Sequence, residues 1–65
     1  MTAERFMTWL STLGFSLAEY ATDRGHVAEA ERADQFVRAA APSSGLAWAF
    51  VWGCVAARMG PDGSL

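Results

Sequence analysis

The sequence predicts an all-α fold in which a helical hairpin is followed by an apolar C-terminal helix. Apolar residues recur at helical spacing near the start of the chain, and turn-like segments then separate two further stretches. The last of these stretches is apolar on every side. One small helical domain is therefore predicted over residues 1–60, with residues 61–65 as a frayed C-terminal tail. No β-strand is expected.

The first predicted helix extends to about Thr22, because its apolar residues share one arc of a helical projection. Gly14 is its weakest position, since glycine costs about 1 kcal/mol relative to alanine in a helix. Ser16 and Glu19 have the spacing of a capping box, so a break and restart at Gly14 is the alternative. The apolar phase continues across Gly14, which favours one helix and leaves Phe15 as an exposed aromatic residue. The arc consists of Ala3, Phe6, Met7, Leu10, Leu13, Leu17, Tyr20 and Ala21.

A second helix is predicted over residues 26–41, after a turn at residues 22–25. Gly25 can adopt the left-handed conformation that ends helices, and Pro42 stops the helix that follows. Charged residues cover most of this helix and leave a narrow stripe of mostly small residues, which lets a neighbouring helix approach closely. The stripe consists of Ala30, Ala33, Val37 and Ala40.

Residues 25–30 resemble the second helix of a tetratricopeptide repeat, in which a glycine, an aliphatic residue and an alanine recur at similar spacing. Asp34 stands where that repeat has an aromatic residue, and only one unit is present where stacked arrays need several. The resemblance implies a helical hairpin and assigns no family.

The third predicted helix spans residues 45–59 and has no charged or hydroxyl side chain between residues 46 and 57. Its large side chains point in two nearly opposite directions, so the helix is apolar all round. A helix of this kind is expected to be buried on every side. One side carries Leu46, Phe50 and Cys54, and the opposite side carries Trp48, Val51, Trp52, Val55 and Met59.

Two other helices, one with only a narrow alanine stripe, cannot enclose such a helix. Another chain is therefore expected to cover the side that carries the tryptophans. The first helix is expected to cover the opposite side and to bury Cys54 there as a small structural hydrophobe. Small residues at four-residue spacing permit close contact between helices. The predicted interface consists of Trp48, Trp52, Val55, Met59, Ala49, Gly53 and Phe15.

Composition argues against several classes of function. Seven acidic residues against five arginines give a net charge of −2, without the basic stripe that direct nucleic-acid binding needs. One histidine and one cysteine are too few for a closed zinc site, and no metal or cofactor is expected. His26 and Cys54 could be drawn as a catalytic pair, but nothing in the sequence fixes that geometry, so no catalytic residue is predicted.

The sequence therefore predicts a non-enzymatic protein-interaction module, such as an adaptor, a regulator or a phage-type inhibitor, that forms a homodimer. A cytoplasmic location is expected, because the N-terminus lacks the apolar segment of a secretory signal and the single cysteine is unpaired. The alternative is a small membrane-associated or membrane-complex subunit that uses residues 45–59. Their apolar run is shorter than the about 20 residues that span a bilayer.

Overall fold

The computed structural model describes residues 3–59, apart from the side chain of Met59, and has an α+β fold. The all-α prediction is wrong, because an antiparallel three-stranded sheet replaces the second helix and the later part of the first. Residues 60–65, which include the predicted tail, lie outside the described part. In chain order the elements are α1 (Ala3–Thr12), β1 (Ser16–Thr22), β2 (Gly25–Arg32), β3 (Gln35–Ala41) and α2 (Ser44–Met59).

Gly14 terminates α1, so the predicted continuation of the first helix to Thr22 is wrong. Gly14 has a φ of +94°, which residues with a Cβ rarely adopt. Its N–H donates to the Ser11 carbonyl at 3.0 Å, and the Phe15 N–H donates to the Leu10 carbonyl at 3.1 Å. These bonds form the Schellman pattern of a helix C-terminus, and Leu10 and Phe15 both lie in the core as its apolar pair.

Two-residue turns connect the strands. Thr22 pairs with Gly25 across residues 23–24, so the predicted turn is present but joins two strands. Gly25 has a φ of +142°, and a Cβ there would collide with the Ala41 carbonyl oxygen, which explains the glycine. In the second turn Ala33 has a φ of +53°, at the position where hairpin turns of this kind prefer glycine.

The strands alternate between a face covered by the helices and an open face. On β2, Ala28 and Ala30 are fully buried under the helices, whereas Glu29 and Glu31 lie on the open face. Ala30 pairs with Val37 of β3, and both side chains belong to the core. Two residues of the predicted helical stripe therefore meet across a sheet, because strand pairing brings together residues that a helix would stack.

The core lies between the sheet and the two helices. α2 packs across β2 and β3, and α1 packs beside α2. The third helix thus exists at nearly its predicted bounds, and within one chain it is buried on one side only. The sheet covers one face, which we call the inner α2 face and which consists of Ala47, Trp48, Val51 and Val55.

Arg32 connects the C-terminal end of α1 to the sheet through hydrogen bonds. Its Nη1 donates to the Leu13 carbonyl oxygen at 2.6 Å, and its Nη2 donates to Gln35 Oε1 at 3.2 Å. Its Cζ lies 4.8 Å from the centroid of the Phe15 ring, within the range of a cation–π contact. A cation at this end of a helix also suits the helix dipole. Arg32 therefore links the C-terminal end of α1 to β2.

Candidate functional site

An exposed apolar strip runs along α2 on the side away from the sheet. Leu46 is 49% exposed and Phe50 is 53% exposed, and the two side chains lie one turn apart on the same side of the helix. Gly53, Cys54 and Ala57 are also exposed and continue the strip along the helix. We call these five residues the outer α2 face. It contains no charged side chain, so it is a candidate surface for contact with another apolar surface.

The structure places the predicted interface residues on different sides of α2. Trp48 and Val55 are 0% and 1% exposed, because the sheet of the same chain covers them. Trp48 and Val55 are therefore covered within the chain, and not by another chain as expected. Phe15 is also in the core, so its predicted exposure is wrong. Cys54 is exposed, which corrects the prediction that it is buried beside its neighbours.

The remaining predicted interface residues stay near the surface. Ala49 and Trp52 are half-buried, and Gly53 belongs to the outer α2 face. A Cβ built on Gly53 meets no atom within 4 Å, so the space above this glycine is open. The side chain of Met59 lies outside the described part of the chain. No large side chain therefore projects from α2 at Ala49 and Gly53, and a neighbouring chain could approach the helix closely there.

A second feature is an aromatic pocket between the outward sides of α1 and α2. Arg5, Phe6, Trp9 and Trp52 line a cavity of about 330 Å³. The rings of Trp9 and Trp52 are perpendicular, with centroids 3.7 Å apart. Trp9 lies off the apolar arc of the first predicted helix, so it is not among the residues predicted from the sequence. The signal that could have found it is the four-residue spacing between Arg5 and Trp9, which puts both on one side of α1.

A carboxylate joins the sheet to the start of α2. Glu19 Oε1 accepts hydrogen bonds from Trp48 Nε1 at 2.8 Å and from Ser44 Oγ at 3.1 Å. His26 Nδ1 lies 3.2 Å from Glu19 Oε2. The hydrogen bond from Trp48 is the main reason that the pKa of Glu19 is lowered, with Ser44 and His26 adding to the effect and burial opposing it.

This cluster connects β1 to β2 and to the start of α2 and has a structural role. The donor groups of Trp48, Ser44 and His26 all point to the carboxylate of Glu19. In a catalytic pair the hydroxyl of a nucleophile would instead point to the imidazole, and the Ser44 hydroxyl does not. Cys54 lies on the outer α2 face, whereas His26 lies on the sheet and is paired with Glu19. The structure therefore does not bring His26 and Cys54 together as a catalytic pair.

The open face of the sheet differs from the outer α2 face in being charged. Tyr20 donates its hydroxyl proton to Glu29 Oε2 at 3.2 Å, and Arg38 Nη2 donates to the Tyr20 hydroxyl oxygen at 2.9 Å. Arg38 Nε lies 3.6 Å from Glu29 Oε2, which completes a row across the three strands. Phe36, 51% exposed, lies beside Glu31 on this face. Exposed aromatic residues here are thus surrounded by polar groups.

Neither of the helices described within residues 3–59 is long and apolar enough to cross a membrane. The same residues contain no group of three or more side chains that could hold a metal ion. Comparisons with protein-family models, with curated proteins and with solved structures find no match to this chain. A function for this chain is therefore inferred from its geometry.

Proposed function

We propose that this chain is a non-enzymatic protein-interaction module that pairs with a second copy of itself through the outer α2 face. The observation that carries the proposal is the exposure of Leu46 and Phe50 on a helix without a charge between residues 44 and 57. Soluble monomers seldom leave such a strip uncovered. Fully burying a leucine or phenylalanine side chain contributes about 1.5–3 kcal/mol, and about half of that remains available at each of these positions.

The absence of charge on the outer α2 face favours a second copy as the partner. Around a two-fold axis each residue near the axis meets its own counterpart, so charged residues there would repel one another. The outer α2 face avoids this repulsion. The open sheet face carries the charged side chains of Glu29, Glu31 and Arg38, so it is less suited to such a contact.

The small residues of α2 favour close contact between two such helices. Gly53 is exposed with open space above it, and Ala49 is half-buried one turn earlier. Two helices can approach closely where small residues recur at four-residue spacing. The bulky Phe50 of one copy would then fit beside Gly53 of the other.

Analytical ultracentrifugation over a concentration series tests the proposal. The wild type should dissociate from dimer to monomer on dilution. Phe50→Gln should raise the dissociation constant about thirty-fold, because losing a buried aromatic anchor costs about 2 kcal/mol. Phe36→Gln is the matched control, since Phe36 is equally exposed but lies on the open sheet face.

Two results would contradict the proposal. A wild type that stays monomeric at every concentration would show that the chain does not form a homodimer. An equal loss of assembly in Phe36→Gln and Phe50→Gln would move the interface away from the outer α2 face.

Contact with lipid is a second candidate, favoured by the same apolar strip together with Trp9, which is 48% exposed. Helices that lie on membranes usually carry several basic residues on their polar side, whereas α2 carries only Arg58. Flotation with anionic vesicles separates the two candidates. Binding that Phe50→Gln abolishes, in a wild type that remains monomeric, would favour the membrane over a second copy.

A further inference from the structure

We propose that the aromatic pocket between α1 and α2 binds a small planar aromatic carboxylate. The pocket is lined by Arg5, Phe6, Trp9 and Trp52 and is separate from the Leu46 and Phe50 strip on which the homodimer rests. The two proposals can therefore fail independently.

The size of the pocket limits the ligand. Its volume of about 330 Å³ lies at the lower end of the range for small-molecule sites, which is about 300–1,000 Å³. A molecule with a single aromatic ring or with two fused rings is of suitable size. A larger cofactor or a folded peptide segment would extend well beyond the lining residues.

The walls of the pocket favour a flat apolar body. Trp9 and Trp52 meet at 90°, so a flat ring that stacks on one of them lies perpendicular to the other. Offset stacking and edge-to-face contacts are the two preferred arrangements of aromatic rings. Phe6 supplies a third aromatic side chain. The half-exposed Trp9 leaves the site accessible from solvent.

The charge at the pocket favours an anion. Arg5 lies one helical turn before Trp9 and is exposed. It forms no hydrogen bond or ion pair with the other residues that the structure describes, whereas Arg32 and Arg38 are both engaged. No acidic residue lines the pocket. A guanidinium group binds a carboxylate through two parallel hydrogen bonds, which gives the aromatic anion an orientation as well as charge pairing.

Two-dimensional NMR of the ¹⁵N-labelled full chain tests the proposal with 2-naphthoate as the probe. The indole N–H signals of Trp9 and Trp52 should shift and saturate. The Trp48 signal should stay in place, because Trp48 is fully buried and donates its N–H to Glu19. Trp48 thus serves as an internal control in the same spectrum.

Variants and a neutral probe separate the contribution of the charge from that of the rings. Arg5→Gln should weaken 2-naphthoate binding about tenfold and leave the binding of neutral 2-naphthamide within about twofold. Arg24→Gln, in the turn between β1 and β2, is the matched control and should change neither. Trp9→Ala should abolish the binding of both probes, with the fold checked by circular dichroism.

Several outcomes would overturn the proposal. One is the absence of saturable shifts at Trp9 and Trp52, and another is a Trp48 signal that shifts with them. Equal weakening by Arg5→Gln and Arg24→Gln would indicate a general charge effect in place of a site. Equal affinity of the wild type for 2-naphthoate and 2-naphthamide would remove the role of Arg5.

Discussion

The two faces of α2 are both apolar, yet they have opposite environments. The inner α2 face is closed by the sheet, and Trp48 on it is fully buried with its N–H bonded to Glu19. The outer α2 face leaves Leu46 and Phe50 about half exposed. Hydrophobicity alone therefore does not separate residues that hold the fold from residues that are available to a partner. The difference comes from the sheet, which covers only one side of the helix.

The sharpest test of this comparison is to truncate one aromatic residue on each face. Trp48→Ala should destabilise the chain by about 3–5 kcal/mol, because it removes a fully buried ring and leaves a cavity. That is comparable with the entire stability expected for a chain of this length, so the variant should be largely unfolded. Phe50→Ala should cost no more than about 0.5 kcal/mol in the monomer.

Urea denaturation at a concentration where the dimer is dissociated measures both effects. Trp48→Phe is a milder variant that keeps a folded state to measure, since it retains an aromatic ring and loses the hydrogen bond to Glu19. A Phe50→Ala monomer as unstable as Trp48→Ala would show that the outer α2 face also supports the fold.

Gly53 allows the outer α2 face to be blocked without disturbing the core. Gly53→Leu places a side chain in open space and replaces a poor helix former with a good one, so the monomer should keep or slightly gain stability. If two copies cross at this glycine, the added side chain should weaken the dimer about tenfold or more. Sedimentation measures the assembly, and thermal denaturation measures the fold.

Gly45→Leu is the matched control, because a Cβ on Gly45 also meets no atom within 4 Å but Gly45 lies off the outer α2 face. It should leave the dimer intact. A Gly53→Leu dimer as tight as the wild type would place the two-fold axis elsewhere.

Local signals in the sequence allowed part of this fold to be predicted. The turn at residues 22–25 and the bounds of α2 follow from glycine, proline and serine positions, which act over a few residues. The separation of Leu46 and Phe50 from Trp48 also follows from helical geometry. Gly14 is the weakest position of the first predicted helix, and α1 ends just before it, although a strand and not a second helix follows. Phe15 supplies the apolar partner that a Schellman ending needs.

The sheet was not predicted, because residues that pair between β2 and β3 also have the spacing of a helical stripe. Leu17 pairs with Ala30, and Ala30 pairs with Val37, so the spacing that resembled a helical stripe is satisfied between strands. Alanine-rich strands also carry little of the β-branched signal that identifies strands. The side of α2 that is covered depends on the sheet, so the predicted interface includes Trp48 and Val55, which the sheet buries.

The smallest expected effect on stability concerns the hydrogen bond between Trp48 on the inner α2 face and Glu19 on the edge strand β1. The pKa of Glu19 is lowered in the folded chain, chiefly by the hydrogen bond from Trp48. A carboxylate with a lowered folded pKa contributes stability that is present above its unfolded value of 4.5 and is lost as the pH falls through the folded value. Glu19→Gln should therefore be less stable than the wild type near neutral pH.

The difference between the two chains should shrink as the pH falls from about 7 to about 3, because the wild-type carboxyl becomes protonated and loses the same advantage. Urea denaturation of both chains at the two pH values measures this change. Glu31→Gln is the control, since Glu31 is exposed on the open sheet face and bonds to no other side chain within residues 3–59. A Glu19→Gln deficit that is equal at both pH values would mean that the charge of Glu19 does not hold α2 to β1. The inner α2 face would then be held by the packing of its buried residues, without a contribution from that charge.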